Sequence, residues 1–199
     1  MRPAARVIVI LLVAAAPAAA APPRHHATMG LMPAQLAGYQ GGGDPGNSEG
    51  RIEQSAVTHL AGLHATYAYR PRRFVEVGPR LDLMYAWFTE GSYRPDAVRE
   101  LRATMALAGV VRFGRTELRL GVDVGGLVSA VRWRSGAGAT STGATAGGFV
   151  TVGQRRWGGW GWFVDVAVGH AEVDGDGVGA YHADSTWVPR LALGGQAGW

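Results

Sequence analysis

Residues 74–89, FVEVGPRLDLMYAWFT, follow a period of two along the chain. The odd positions from Val75 to Trp87 are apolar, whereas the even positions include Glu76, Arg80 and Asp82. Successive side chains of a β-strand point to opposite faces, so a period of two over this length is typical of a strand and not of a helix. The segment therefore predicts a strand with one apolar face and one face that mixes charged and small residues.

The same alternation recurs along the chain and predicts eight strands. It is clear at 100–113, 117–130, 160–169 and 187–199, weaker at 56–69 and 145–154, and weakest at 28–40, where Pro33 interrupts it. The connections between these segments are short at 70–72, 114–115 and 155–158 and long at 41–53, 90–97, 134–144 and 173–185. Alternating short turns and long loops are typical of transmembrane barrels. We predict an all-β fold, an eight-stranded antiparallel up-and-down transmembrane β-barrel with both ends on the periplasmic side.

Charged residues share the polar face of these strands, with opposite signs on neighbouring strands. The predicted network in the barrel lumen consists of Glu76, Arg80, Asp82, Arg102, Arg112, Glu117, Arg119, Asp123, Asp165 and Arg190. Glu100 lies on the same polar face. Paired opposite charges suit a narrow, desolvated interior, where each ion needs a partner. The pattern favours a barrel with charges inside and apolar residues facing lipid. The alternative is a water-facing sheet, as in a secreted, soluble, lipocalin-like barrel that binds a small apolar ligand.

Aromatic residues fall at the two ends of the apolar face and favour the membrane alternative. The turn-side ends carry Tyr67, Tyr69, Phe113, Trp160, Trp162 and Trp199, and the loop-side ends carry Tyr85, Trp87 and Trp187. Two aromatic belts around a Val/Leu/Ala band are typical of the two interfaces of a membrane.

The composition and the first residues predict export. Residues 1–20 combine Arg2 and Arg6, a short apolar run and an Ala-rich end, which is the pattern of a cleaved signal peptide, leaving 21–199 as the barrel domain. Its removal leaves 17 Arg against 15 acidic residues, and no basic stripe that would bind nucleic acid. The chain has no Cys, which excludes disulfides and zinc–thiolate sites. We expect no cofactor.

The end of the chain carries a resemblance to a known family. Trp199 is a terminal aromatic residue, Ala197 lies two positions before it and Gly194 five before it. This ending resembles the signal read by the outer-membrane barrel assembly machinery, although Leu193 replaces the usual polar residue. Over 28–199 the chain resembles the small eight-stranded outer-membrane barrels, such as the OmpA transmembrane domain and OmpX. The resemblance implies an outer-membrane location, lipid and lipopolysaccharide as partners, and a monomer.

The function that we expect is a structural or surface-interaction role through the extracellular loops, without a wide pore, because side chains fill an eight-stranded barrel. The alternative is an enzyme that modifies lipid A. Enzymes of the deacylase type resemble one another in a His-x-Ser pair on the lipid face of a strand, and the nearest segment here, His170-Ala171-Glu172, has no Ser at that position. The parity of His170 and His59 predicts that both face lipid, on separate strands. We assign no catalytic residue.

The acidic segment 172–177 resembles part of a calcium loop but has Ala183 at the twelfth position, so we assign no metal site. We expect His25 and His26 to form a free end.

Overall fold

The computed structural model describes residues 24–35, 38–41, 52–55, 59–87, 95–133, 138–155, 159–174 and 183–199. These ranges contain the strands β1 (His25–Gln35), β2 (Gly38–Gly41), β3 (Ile52–Ser55), β4 (His59–Arg72), β5 (Val75–Trp87), β6 (Pro95–Phe113), β7 (Thr116–Trp133), β8 (Gly138–Arg155), β9 (Trp160–Asp174) and β10 (Ala183–Gly198). The described ranges contain no helix long and apolar enough to cross a membrane. The predicted signal peptide, 1–20, lies outside the described residues.

Eight of the strands form a closed barrel in the order β1-β10-β9-β8-β7-β6-β5-β4. Each strand pairs antiparallel with its neighbours, and β1 closes the barrel by pairing with both β10 and β4. The predicted eight-stranded antiparallel up-and-down barrel is confirmed. The remaining strands, β2 and β3, pair with each other in a separate two-stranded sheet.

A tight turn connects β6 to β7, as the sequence predicts. Arg112 pairs with Glu117 and Phe113 with Thr116, which leaves Gly114 and Arg115 as the turn. Gly114 has a φ of 61°, in the left-handed region where a residue without a Cβ is not strained. The turn thereby fixes the register of the two strands.

Several predicted boundaries were wrong, mostly because the strands are longer. The segment 70–72 is not a turn but the end of β4, and the turn is at 73–74. Strand β8 already begins at Gly138, so most of the predicted loop 134–144 is strand, and the predicted loop 41–53 includes strand residues at both ends. The weakest predicted strand forms as β1, and Pro33 lies in its register shift against β10, between Leu31 and Ala34.

The barrel has charged residues inside and apolar residues outside. On β5, Arg80 and Asp82 are 4% and 6% exposed. In contrast, Leu81, which lies between them, and Leu83, which follows Asp82, are 48% and 50% exposed. A small apolar cluster of Ala108, Phe149 and Ala167 is also buried inside. An outer surface rich in Leu and Val is far larger than the apolar patches of soluble monomers, and it suits hydrocarbon.

Candidate functional site

The candidate site is the charged interior of the barrel. The structure places nearly all of the predicted network there, at 6% exposure or less: Glu76, Arg80, Asp82, Arg102, Glu117, Arg119, Asp123, Asp165 and Arg190. Arg112 is less buried, with 21% of its side chain exposed, and Glu100 has 13% exposed. The alternation of inward and outward positions on each strand produces this placement, because every second residue of a barrel strand faces the interior.

The turn-side cluster, formed by Arg70, Glu76, Arg112, Glu117 and Arg119, fills the end of the barrel near the turns 73–74 and 114–115. Glu117 accepts hydrogen bonds from Arg70 Nη2 at 2.8 Å, Arg112 Nε at 2.6 Å and Arg119 Nη2 at 2.5 Å. Arg70 Nε also donates to Glu76 Oε1 at 2.5 Å. Three guanidinium groups around one carboxylate form a compact, crosslinked end of the lumen.

The central cluster is formed by Arg80, Asp123, Thr151 and Asp165, with the ring of Phe149. Arg80 Nη2 donates to Asp165 Oδ1 at 2.8 Å, and the Thr151 hydroxyl donates to Asp165 Oδ2 at 2.5 Å. Arg80 Nε lies 3.4 Å from Asp123 Oδ2, and its guanidinium carbon is 3.9 Å from the centre of the Phe149 ring. These contacts span β5, β7, β8 and β9 and therefore tie opposite walls of the barrel together.

The loop-side cluster is formed by His64, Asp82, Glu100, Arg102 and Arg190. Asp82 contacts His64 Nδ1 at 2.6 Å and accepts a hydrogen bond from Arg190 Nη1. Arg102 Nη2 donates to Glu100 Oε1 at 3.0 Å. The three clusters follow one another along the barrel axis.

Sequence reasoning missed Arg70, His26, His64 and Gln196, which are all buried in the interior. The prediction that His25 and His26 form a free end was wrong, because both lie on β1 and pair with β4. His26 Nε2 lies 3.0 Å from Gln196 Oε1 and 2.9 Å from Arg119 Nη2. The positions of Arg70 and His64 have the same parity in β4, so the alternation contained the information needed to place them.

The predicted aromatic residues at the turn-side end lie on the outer face. Exposure is 36% for Tyr85 at the opposite end and 39% to 68% for Tyr67, Tyr69, Phe113, Trp160, Trp162 and Trp199. The side chains of Trp87 and Trp187 are outside the described part of the chain. The outward parity predicted for His170 agrees with its neighbours Val168 and Val166, which are exposed; the side chain of His59 is not described.

The residues of the predicted assembly signal close the barrel. The backbone N–H of His25 donates to the Trp199 carbonyl at 2.8 Å, the reverse bond is 3.0 Å, and the two rings stack with centroids 6.2 Å apart. Ala197 pairs with Ala27. A Cβ at Gly194 would overlap the Met29 carbonyl, so the close approach of β1 and β10 requires glycine there. Recognition of these residues by an assembly machinery stays a prediction.

The described part of the interior contains a small cavity. This cavity of about 40 Å³ lies between the turn-side and central clusters and is lined by His26, Thr28, Thr66, Arg119 and Phe149, among others. This volume holds about three water molecules, which is far too small for a lipocalin-type ligand. Among the described residues, no three His, Cys, Asp or Glu side chains are grouped so that they could hold a metal ion.

The sequence matches no model of a protein family and no curated protein. The solved structures that share this fold include the following two proteins. Neisserial surface protein A (NspA) superposes with a TM-score of 0.60 at 10% identity, over 88% of this chain and 97% of that one. Ail, the attachment invasion locus protein of Yersinia pestis, in complex with the heparin analogue sucrose octasulfate, superposes with a TM-score of 0.53 at 9% identity, over 88% of this chain and 99% of that one. Both are small eight-stranded outer-membrane barrels, so the resemblance predicted from the sequence is confirmed at the level of the fold.

Proposed function

We propose that the mature chain, 21–199, is an integral outer-membrane barrel without a wide pore, and that it has a structural or surface-interaction role through its extracellular end. The observation that carries the proposal is the inverted polarity of the wall, in which Arg80 and Asp123 are each 4% exposed while Val124 is 63% exposed. In water, this arrangement would expose hydrocarbon and bury charge, and both are unfavourable. In lipid, the same arrangement places each group in its preferred surroundings.

The interior supports the absence of a wide pore. The turn-side, central and loop-side clusters cross the lumen at successive heights, and each contains a hydrogen bond that joins an arginine of one strand to a carboxylate of another. Side chains fill the interior of an eight-stranded barrel without leaving an aqueous channel. Solute passage would require several buried ion pairs to separate together, and each separation leaves an uncompensated charge.

Two outward arginines support contact with the phosphate groups of lipopolysaccharide. Arg99 on β6 pairs with Ala130 on β7, and Arg132 on β7 pairs with Ala97 on β6, so the two arginines are diagonal neighbours near the loop-side end. Both are exposed, and the guanidinium of Arg99 lies 5.7 Å from the Tyr85 ring centre. Arginines at this height meet anionic headgroups. The sulfated sugar bound by Ail is likewise a polyanion.

Heat modifiability tests the membrane-barrel proposal. We expect the protein, refolded in detergent, to migrate differently on a gel before and after boiling, because the closed ladder of hydrogen bonds resists the cold detergent. The mature chain should also require detergent for its extraction from cells. Identical migration of the boiled and unboiled samples, or extraction by buffer alone, would contradict the proposal.

A double variant tests the lipopolysaccharide contact. Arg99→Gln with Arg132→Gln should weaken binding of the refolded barrel to lipopolysaccharide micelles by roughly 10- to 30-fold, since each arginine near an anionic surface contributes about 1 kcal/mol. The control is Arg72→Gln with Arg73→Gln, two exposed arginines at the opposite end. Equal binding by both double variants would argue against the contact. An altered mass of lipid A on expression of the unmodified protein would instead support the enzymatic alternative.

A further inference from the structure

Two buried arginines in the loop-side cluster have nitrogens without a hydrogen-bond partner among the described residues. Arg102 is 2% exposed and Arg190 is 5% exposed. Arg102 Nε and Nη1, and Arg190 Nε and Nη2, make no hydrogen bond within the described part of the barrel. Buried polar groups are nearly always paired, and an unpaired buried cation is strongly unfavourable. Four such donor atoms on two neighbouring side chains therefore call for an acceptor.

Two of the four unpaired nitrogens, one from each arginine, lie near the same point beside Gly169 of β9. A Cβ built on Gly169 would lie 2.9 Å from Arg102 Nη1 and 3.6 Å from Arg190 Nη2. Thr145 Oγ1 lies 3.7 Å from the same point, and its hydroxyl donates to the His170 carbonyl. Because glycine has no side chain, two guanidinium groups of like charge approach the backbone there.

The carboxylates near this point bind other nitrogens of the two arginines. Glu100 Oε1 accepts from Arg102 Nη2 at 3.0 Å, and Asp82 accepts from Arg190 Nη1 while also contacting His64. Asp123 Oδ2 is 3.7 Å from Arg190 Nη2, beyond hydrogen-bond distance, and 3.4 Å from Arg80 Nε. The sides of Arg102 and Arg190 that face Gly169 therefore have positive charge without a bonded carboxylate among the described residues.

We propose that a small inorganic anion of the halide type binds between Arg102 Nη1 and Arg190 Nη2, beside Gly169. An anion there accepts hydrogen bonds from both guanidinium groups and offsets their mutual repulsion. A monatomic anion suits the position, because it accepts hydrogen bonds from any direction, and because Gly169 has no side chain that would cover the two nitrogens on that side. Chloride is the abundant member of this class.

Thermal unfolding at constant ionic strength tests the site. The refolded barrel is transferred from sodium gluconate to sodium chloride or sodium bromide, and the unfolding midpoint should rise saturably by roughly 2–5 °C, because a ligand that binds only the folded state stabilises it. Crystals soaked in bromide should show an anomalous peak between Arg102 and Arg190. Equal midpoints in all salts together with no peak would overturn the proposal. A rise in sulfate or phosphate but not in halide would overturn the halide class.

Two variants locate the effect. Arg102→Gln removes one guanidinium, and Gly169→Ala places a methyl group 2.9 Å from Arg102 Nη1; each should abolish the halide-dependent shift, whatever its effect on the midpoint in gluconate. The matched control is Gly148→Ala, where the added Cβ faces outward and meets only the Gly121 carbonyl at 3.7 Å. A shift retained by both Arg102→Gln and Gly169→Ala would place the anion elsewhere. The bromide peak in the unmodified protein keeps the test decisive if either variant fails to fold.

Discussion

Replacing Glu117 with Gln lowers the free energy of unfolding by about 3–5 kcal/mol, the range for removing one partner of a buried ion pair. Glu117 accepts hydrogen bonds from Arg70, Arg112 and Arg119, and its side chain is 3% exposed. The neutral amide keeps the volume of the side chain but leaves these guanidinium groups with Glu76 as their remaining carboxylate in the turn-side cluster. Urea unfolding of the refolded barrel in lipid vesicles, followed by tryptophan fluorescence, measures the change.

The control for this variant is Arg112→Gln. Arg112 binds the same carboxylate, but 21% of its side chain is exposed, so water replaces part of the lost interaction. We expect a loss of about 1 kcal/mol or less, as for exposed ion pairs. If the two variants lose equal stability, the turn-side cluster does not depend on Glu117 as its central acceptor.

Replacing Val124 with Arg lowers stability in lipid vesicles by about 2–4 kcal/mol, the cost of arginine at the bilayer midplane on a barrel's outer face. Val124 lies in the middle of β7, faces outward and is 63% exposed. If the outer face met water, a charge at so exposed a position would change stability little. The variant therefore measures the surroundings of the outer face directly.

Thr140→Arg is the matched control for Val124→Arg. Thr140 faces outward on the adjacent strand β8, two residues after its start at the loop-side end. Arginine at this height reaches the interface, so we expect a cost of about 0–1 kcal/mol. Equal effects of the two variants, or no effect of either, would contradict a lipid-facing wall.

The alternation of side chains predicted the polarity of the barrel because it depends on local geometry alone. Arg80, Asp82 and their neighbours Leu81 and Leu83 differ sharply in hydropathy, so the period of two was visible without knowledge of the partner strands. Closure into eight strands followed from the connection lengths. The aromatic end positions needed no tertiary information either, since they depend on where each strand meets its turn or loop.

The parts of the structure that the sequence analysis did not predict lack this contrast in hydropathy between successive residues. Residues 138–144, GATSTGA, have small or hydroxyl side chains on both faces, so the inward position of Ser141, which is 1% exposed, could not be distinguished from that of a loop residue. Arg70 stands beside Pro71 and looked like part of a turn. Glu117, which binds Arg70, and Gln196, which contacts His26, come from strands far away in sequence, and which residues meet across the lumen depends on the barrel's register and diameter.

The seam between β1 and β10 gives the wall an uneven resistance to opening. Their pairing runs from His26 with Gly198 only as far as Gln35 with Arg190 and contains the register shift at Pro33, whereas β6 and β7 pair over nearly their whole lengths. Short, irregular ladders have the lowest local unfolding free energies. Within this seam, we therefore expect transient separation to begin at the loop side and to proceed toward His25 and Trp199, where stacked rings and reciprocal backbone bonds hold β1 and β10 together longest.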